Sequence, residues 1–288
     1  MNRLIIYRNS PDGFSNGLLR FALSNELLAG LVFEGLSRCL RPAEENGRPA
    51  GWSFGRTMCA VPQDWMPGSG AEAQPRVTYY RQDVPVSCET AAGIRGGKSP
   101  DSWFVVSNGR FATRINIELL ERALTGLGAD VVAVAADPEL LGEREKVRVT
   151  TEGKVAGFRR VYADWAEFAF TSAEWPDHLF IRADLLPDLL AGGGLPASFA
   201  LLSERCLCKG LRLHAIRVGG TVLDLETEDG LLGLCSEQLS LRRDYRHGTQ
   251  DSSRIQGNPR IVGPVLLGDN IRAGSDVVIV GPAVIGDR

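Results

Sequence analysis

The chain has 288 residues, with 32 Lys and Arg against 35 Asp and Glu and a formal net charge of -3. Because binding to phosphate backbones requires a surplus of basic side chains, this balance argues against a nucleic-acid-binding protein. A hydrophobic content of 44% can build a core, which excludes wholesale disorder. No apolar run approaches the roughly 18 residues of a membrane-spanning helix, and the first residues lack the apolar core of a signal peptide. We therefore expect a soluble, cytoplasmic protein.

The N-terminal part contains one predicted strand and one predicted helix. Residues 4–7 form a short strand-like run that leads into a Pro-Asp-Gly turn. Apolar residues at helical spacing then predict a helix that begins at the candidate cap Ser24. They are Leu28, Val32, Leu36 and Leu40. Residues 41–74 are rich in Pro, Gly and Glu, which predicts an irregular segment.

An α/β pattern begins at residue 76. Residues 76–81 are strand-like, and residues 103–107 form a continuous apolar run of the kind found in buried strands. Between the candidate cap Asn116 and the stop signal Gly128, apolar residues recur at helical spacing and predict a helix. Residues 130–135 are a second buried strand, so these elements form a strand-helix-strand crossover unit.

The rest of the body predicts a hairpin and further short elements. Residues 146–162 alternate polar and apolar side chains on either side of Glu152 and Gly153, which indicates a β-hairpin. Three strands and one helix follow, at residues 178–182, 212–218 and 222–225 for the strands and 185–190 for the helix. The predicted fold class is α/β, with a mixed sheet in a domain of residues 1–235 and a linker at residues 236–254.

Residues 255–288 repeat with a period of six. The first position of each hexad is aliphatic: Ile255, Ile261, Leu267, Ala273, Ile279 and Ile285. The fifth position is small, branched or proline: Pro259, Val265, Ile271, Val277 and Ala283. This period is typical of hexapeptide repeats that wind into a left-handed β-helix, and three hexads close one coil. Because this segment forms just under two coils, we expect the solenoid to be completed by self-association or by a further domain of a longer chain.

Four segments between residues 76 and 235 resemble motifs of the sugar-1-phosphate nucleotidyltransferases, such as mannose-1-phosphate guanylyltransferase. They are residues 77–94 (VTYYRQDVPVSCETAAGI), 104–117 (FVVSNGRFATRINI), 151–160 and 222–227 (VLDLET). An α/β domain before hexapeptide repeats is also the layout of that family. The resemblance implies a Rossmann-like mixed sheet, a nucleotide or sugar nucleotide as ligand, and Mg²⁺ as the cofactor of an active enzyme.

The same resemblance assigns candidate site residues. Thr90, Ala91, Asn108 and Gly109 match positions at which the family binds its nucleotide, at the carboxyl ends of the strands. Asp224 matches the second of the family's two metal-binding carboxylates. Oxygen ligands of this kind suit Mg²⁺.

Other positions depart from the family pattern. The glycine-rich first loop is absent, since Arg8 to Gly13 follow the first strand. Arg110 stands where the first metal-binding carboxylate is expected, and a permanent cation repels Mg²⁺. Arg160 and Glu226 replace a glutamate and a glycine of the family motifs. Arg110 is therefore either an electrostatic substitute for the metal or a structural residue, and Asp224 is either a metal ligand or a turn residue.

Two classes of function follow from these matches and departures. The first is a degenerate nucleotidyltransferase-like protein that binds a nucleotide or sugar nucleotide and acts as a regulatory or scaffolding module in cell-surface polysaccharide synthesis. The second is an active nucleotidyltransferase with a rearranged phosphate site, which joins a nucleoside triphosphate to a sugar 1-phosphate and releases pyrophosphate. A third alternative, a piece of a hexapeptide acyltransferase, lacks support because the hexads contain no histidine.

Overall fold

A computed structural model describes residues 2–6, 18–40, 57–61, 77–81, 102–138, 144–161, 166–168, 175–191, 194, 196, 198–241 and 255–286. The strands of the body are β1 (Asn2–Ile6), β2 (Thr57–Val61), β3 (Val77–Arg81), β4 (Trp103–Asn108), β5 (Phe111–Ile115), β6 (Val131–Asp137), β7 (Arg144–Val149), β8 (Val155–Val161), β9 (Ala166–Phe168), β10 (His178–Arg182) and β11 (Leu213–Asp224). The helices are α1 (Leu18–Ser24), α2 (Glu26–Arg38), α3 (Ile117–Leu127), α4 (Leu186–Leu190), α5 (Phe199–Cys208) and α6 (Glu228–Leu241).

The body is built around a mixed sheet. Within the described residues, nine strands join in the order β3-β2-β1-β4-β10-β6-β11-β5, and β9 pairs with β11. Strands β1 to β4 run parallel to one another, whereas β10 is antiparallel to both of its neighbours, β4 and β6. The predicted α/β fold class with a mixed sheet is confirmed.

The sheet reverses its direction of growth next to β1. From β1 the chain adds β2 and then β3 on one side, and β4 lies on the other side of β1. Such a reversal is a topological switch point, where the loops at the carboxyl ends of two neighbouring strands separate and leave a crevice. Because β4 ends at Asn108, the residues after it lie at this switch point.

Local signals placed two helices correctly, with one shift. Helix α3 begins after Asn116, whose side chain accepts a hydrogen bond from the Leu119 amide, and ends at Gly128 in the left-handed conformation. Helix α2 begins after Asn25, whose side chain accepts from two backbone amides. The expected cap Ser24 is instead the last residue of α1. Asn25 has the same capping chemistry as serine, so the sequence signal was correct in kind and wrong by one residue.

Long-range pairing changed two further predictions. The two short strands expected at residues 212–218 and 222–225 are one twelve-residue strand, β11. Its first half pairs with β6 and its second half with β5. Strands β4 and β6 belong to one sheet, as the predicted crossover requires, but β10 lies between them. The predicted hairpin is present as β7 and β8.

The core covers both faces of the sheet. Alternate residues of β4 point to opposite sides, with Phe104 and Val106 in a cluster with α4 and α5 and Val105 in a cluster with α3. Burial on both faces explains why the first four residues of β4 and the first six of β6 are consecutively apolar rather than apolar at every second position. Burial also raises the pKa of the Cys206 and Cys235 thiols to about 11, so both remain neutral and pack as small apolar groups.

The hexad segment contains six short strands in three parallel pairs. The strands are β12 (Ile255–Gln256), β13 (Arg260–Val262), β14 (Val265–Leu267), β15 (Ile271–Arg272), β16 (Val278–Val280) and β17 (Ala283–Ile285). Each of the first three pairs with the third strand after it. All six first-position residues of the hexads lie in one apolar cluster. The predicted period is therefore present in the packing, while the structure shows parallel strand pairs rather than a complete solenoid.

The hexad segment also contacts the body. Leu266 is buried in the cluster formed by α1, α2 and α6, and Val284 packs against that cluster. Helix α6 continues to Leu241, so its last residues lie in the segment that was assigned to a linker. Among the described residues, no helix is long and apolar enough to cross a membrane.

Candidate functional site

A tight turn follows β4 at the switch point. The Asn108 side chain, only 6% exposed, accepts a hydrogen bond from the Arg110 amide at 3.1 Å. The Asn108 amide in turn donates to the Asp177 carbonyl oxygen at 2.9 Å. Asparagine suits this position because its side-chain oxygen can accept from the backbone two residues further on. The turn is thus held from both sides, and it sets the direction of the Arg110 side chain.

Arg110 forms a two-point ion pair with Asp224. Its Nε donates to Oδ1 at 2.9 Å, and its Nη2 donates to Oδ2 at 2.7 Å. Both side chains are partly buried, with 33% of Arg110 and 27% of Asp224 exposed. This planar fork is the strongest geometry available to an arginine and a carboxylate. The guanidinium also lies 5.0 Å from the centre of the Phe111 ring.

Backbone contacts bring the two partners together. Strands β5 and β11 are antiparallel, with Phe111 opposite Asp224. The Leu225 amide donates to the Arg110 carbonyl oxygen at 2.9 Å. The Glu226 amide donates to Asp224 Oδ1 at 3.0 Å, so that oxygen accepts from a guanidinium and from a backbone amide.

The start of α6 reinforces the Asp224 end of this arrangement. The Thr227 hydroxyl donates to the Asp224 carbonyl oxygen at 2.7 Å and accepts from the Gly230 amide at 3.1 Å. A Cβ at Gly230 would collide with the Asp224 carbonyl oxygen, so a larger residue there would force α6 away from the site. The close packing of α6 therefore depends on glycine at this position.

The electrostatics of the pair favour the charged carboxylate. The hydrogen bonds from Arg110 hold the pKa of Asp224 below its usual range, and partial burial opposes this shift without reversing it. Asp224 is therefore ionised at neutral pH and compensates the guanidinium charge.

A second carboxylate next to the turn has the opposite tendency. Asp177 Oδ2 accepts from the Ala136 amide at 2.8 Å, yet burial raises the pKa of Asp177 to about 6. The neighbouring His178 is 1% exposed and contacts the Ser107 hydroxyl at 2.9 Å and the Thr113 hydroxyl at 2.6 Å. Neither residue lies in a motif, so the sequence did not point to them, although His178 directly precedes the apolar residues of β10.

The structure brings together four of the candidate site residues at the turn after β4. Asn108, Gly109 and Arg110 form the turn itself, and Asp224 meets Arg110 across the antiparallel pair. Thr90 and Ala91 lie outside the described residues, so their predicted role in nucleotide binding stays a prediction.

The arrangement does not fit a Mg²⁺ site. Magnesium requires several oxygen ligands in octahedral geometry, and its protein ligands are usually one or two carboxylates. At this position the single carboxylate, Asp224, already accepts on both oxygens from a cation. Among the described residues, no three His, Cys, Asp or Glu side chains converge in a way that could hold a metal ion. A divalent cation would have to displace Arg110 before it could bind.

No protein-family model matches the chain, and no curated protein matches it significantly. Among solved structures, the chain is similar to HddC from Yersinia pseudotuberculosis, with a TM-score of 0.43 and 10% identity over 82% of this chain and 99% of that chain. It is also similar to a putative glucose-1-phosphate thymidylyltransferase from Bacillus anthracis, with a TM-score of 0.43 and 14% identity over 81% of this chain and 93% of that chain.

A UDP-glucose pyrophosphorylase from Acinetobacter baumanii is similar to the same extent, with a TM-score of 0.43 and 10% identity over 84% of this chain and 94% of that chain. Nucleotidyltransferases are thus among the structural neighbours of the chain.

Proposed function

We propose that this protein is a nucleotidyltransferase-like module that binds a nucleotide or sugar nucleotide at the β1/β4 switch point and does not catalyse nucleotidyl transfer. The observation that carries the proposal is the ion pair between Arg110 and Asp224. It lies where a ligand crevice is expected from the sheet topology, and it occupies the carboxylate that would have to hold a metal. The module acts in the cytoplasm, as a regulatory or scaffolding part of cell-surface polysaccharide synthesis.

The chemistry of phosphate transfer supports the loss of catalysis. Such reactions depend on positioning and on neutralising the charge of the phosphates by metal ions, lysines and backbone amides. A glycine-rich loop after the first strand would supply the amides, and this chain instead has Arg8 to Gly13 there. Without that loop and with one carboxylate engaged by Arg110, the equipment for the reaction is incomplete.

The hexad segment is proposed to be a short left-handed β-helix. Support comes from the strand pairing, because Ile261 pairs with Ile279 three hexads later, which is the spacing expected for successive coils. The proposed organisation is a domain of residues 1–235, a linker at 236–254 whose first residues complete α6, and hexapeptide repeats at 255–288. The β-helix would mediate self-association or continue into a further domain.

Two measurements test the proposed function. Isothermal titration with GTP, GDP-mannose and UDP-glucose measures ligand binding, and we expect binding of at least one of them. A pyrophosphate-release assay with nucleoside triphosphates, Mg²⁺ and a panel of sugar 1-phosphates measures catalysis, and we expect none.

Asp224 is the one retained carboxylate of the family's metal pair, and it is the feature that favours the alternative of an active enzyme. Pyrophosphate release by the wild-type protein would reject the non-catalytic module in favour of that alternative, and a rate that does not rise in Arg110→Asp would show that Arg110 does not impair the reaction. The absence of binding heat and of thermal protection with every nucleotide would reject the ligand-binding role itself.

A further inference from the structure

The outer sides of the three parallel strand pairs in the hexad segment differ in what covers them. Side chains alternate along each strand, so the neighbours of the clustered first-position residues point away from the hexad cluster. In the pair of β12 and β15, the outward residues are Gln256 and Arg272, which are polar and exposed to solvent. In the pair of β14 and β17, they are Leu266 and Val284, which pack in the cluster of α1, α2 and α6. Solvent and the body thus account for two of the three sides.

The pair of β13 and β16 has an apolar outer side that no other described residue buries. Ile261 and Ile279 lie opposite each other and point into the hexad cluster. The outward positions beside them include Val262, Val278 and Val280, which are 43%, 56% and 66% exposed. We call the outer side of these two strands the valine face. A solvated side of a sheet normally carries polar residues, so three exposed valines on two adjoining strands indicate an interaction surface.

One end of the valine face carries two charges of opposite sign. Arg260 is the remaining outward residue of β13 and lies opposite Val278. Asp276 precedes β16 at the same end, in a turn where its φ is 60°. Both charged residues are exposed, and within the described part of the chain neither forms an ion pair. The face therefore presents apolar side chains together with a cation and an anion that can pair with a second molecule.

These charges select one way for two copies to meet through this face. About a two-fold axis along the strands, β13 of one copy lies over β16 of the other, with Val262 over Val280 of the second copy. Arg260 then faces Val278 of the second copy, two residues from Asp276 of that copy. Because packed sheets lie about 10 Å apart, the long arginine side chain can reach this carboxylate. A two-fold axis across the strands would instead place the two charges at opposite ends of the interface.

We propose that the valine face is the interface of a homodimer in which two copies pack about a two-fold axis along β13 and β16. The two valine faces bury each other, and Arg260 of each copy pairs with Asp276 of the second copy. This inference rests on the assembly role proposed for the hexad segment and is independent of ligand binding at the switch point. Because two three-residue strands are smaller than the roughly 800 Å² per partner of a standard interface, we expect a Kd of about 10–100 μM.

Sedimentation equilibrium of the full chain tests the interface. Between about 1 μM and about 1 mM, the average mass of the wild type should rise from one chain towards two. Val280→Asp places a charge within the apolar face and should weaken dimerisation by about a hundredfold or more. Gln256→Asp adds the same charge to the pair of β12 and β15, and it should leave the Kd of the dimer within about twofold of the wild type. Both positions are exposed in the single chain, and circular dichroism and thermal unfolding establish that each variant is folded.

A double-mutant cycle tests the direction of the axis. Arg260→Ala and Asp276→Asn each remove one partner of the proposed ion pair, and asparagine tolerates the positive φ at position 276. Since the dimer contains this pair twice, each variant should weaken dimerisation by about threefold to tenfold. The double variant should be no weaker than either single one, because the second substitution removes a group that has already lost its partner.

The outcomes separate this interface from the proposed function. A wild type that stays monomeric up to about 1 mM, or a Val280→Asp variant that dimerises as tightly as the wild type, would overturn the interface. Independent, additive effects of Arg260→Ala and Asp276→Asn would overturn the proposed axis. If the wild type dimerises through the valine face but binds no nucleotide or nucleotide sugar, the ligand-binding role fails and the interface stands. A wild type that binds such a ligand as a monomer rejects the interface alone.

Discussion

Two arginine-carboxylate clusters lie at opposite ends of the same sheet, and they differ in how firmly the carboxylate is enclosed. At the amino end of β6, Asp130 is 12% exposed and pairs with both Arg182 and Arg212. At the switch point, Asp224 is 27% exposed and pairs with Arg110. In the first cluster the buried acid pairs with two arginines, of which Arg182 also pairs with Asp184, whereas the second is a single ion pair at the switch point.

The backbone contacts sharpen the contrast. Asp130 exchanges backbone hydrogen bonds with both of its partners: its amide donates to the Arg212 carbonyl oxygen, and its carbonyl oxygen accepts from the Arg182 amide. Its Oδ2 also accepts from the Arg212 amide at 2.9 Å. The Asp130 cluster thus ties together β6, β10 and β11. The Asp130 cluster holds three strands together, whereas the Arg110–Asp224 pair joins the turn after β4 to the end of β11.

The largest expected effect is the loss of stability in Asp130→Ala. This substitution removes the carboxylate that pairs with the Arg212 side chain and accepts from its backbone amide, and it leaves Arg182 with Asp184 as its carboxylate partner. It should lower the free energy of unfolding by about 2–3 kcal/mol. Chemical denaturation measures the change. A loss smaller than that of Arg110→Ala would contradict the view that the Asp130 cluster is the structural one.

Acid should reveal the same contrast through proton linkage. The pKa of Asp130 is lowered chiefly by hydrogen bonds from Arg212, so its stabilising contribution is present above the unfolded-state pKa and is lost as the pH falls towards the lower folded-state pKa. Unfolding experiments between neutral pH and pH 3 should therefore show a shallower acid loss in Asp130→Asn than in the wild type. If the free energy of unfolding falls with pH equally steeply in both proteins, the arginines do not lower the pKa of Asp130.

Arg110→Ala should have a smaller effect on stability than Asp130→Ala and a larger effect on binding. The pair is about one-third exposed, so its removal should lower the free energy of unfolding by only about 1 kcal/mol. Under the proposed function, nucleotide-sugar affinity measured by titration should fall by about tenfold or more. If Arg110→Ala binds nucleotide sugars as tightly as the wild type does, Arg110 has no role in ligand binding.

Asp177→Asn should stabilise the protein by about 1 kcal/mol at pH 7. Burial raises the pKa of Asp177 to about 6, so this residue favours the folded state below the unfolded-state pKa, and that contribution is lost as the pH rises through about 6. Asparagine keeps an oxygen that can accept from the Ala136 amide and never ionises. Thermal unfolding should therefore show a gain at pH 7 that disappears near pH 4, and a gain of equal size at both values would contradict the assignment.

The smallest effect is expected for Arg122→Ala, which serves as the control for exposed ion pairs. Arg122 and Glu118 lie 3.6 Å apart on α3 and are more than two-thirds exposed. Pairs of this kind contribute less than about 0.5 kcal/mol, because solvent screens them. A destabilisation as large as that of Arg110→Ala would show that burial does not determine how much each ion pair contributes to the free energy of unfolding.

Local patterns predicted much of the fold. The caps of α3 and the apolar runs of β4 and β6 depend on residues a few positions apart, and each was found near the expected place. The hexad segment forms three parallel strand pairs, and the β-helix stays a proposal. The insertion of β10 between β4 and β6 was not predictable. An apolar strand carries no mark of its neighbours, since backbone hydrogen bonds are the same for every residue pair.

The candidate site shows the same division. Family motifs pointed separately to Asn108, Gly109, Arg110 and Asp224, and Arg110 could be recognised as the wrong charge for a metal ligand. That Arg110 and Asp224 bind each other became visible only in the folded chain, because 114 residues separate them. Asp177 and His178 had no motif, and their burial beside the turn is a property of the packed sheet.

The sequence by itself determined the period of each element, the charge at each candidate position and the absence of a glycine-rich phosphate loop, because these are properties of neighbouring residues. The tertiary structure alone decided the strand order, the switch point beside β1 and the ion pair that closes the carboxylate to a metal. Those depend on distances between residues far apart in the chain, and folding sets such distances by burying both faces of the sheet at once. Arg110 and Asp224 are therefore two separate candidate residues in the sequence and one ion pair in the fold.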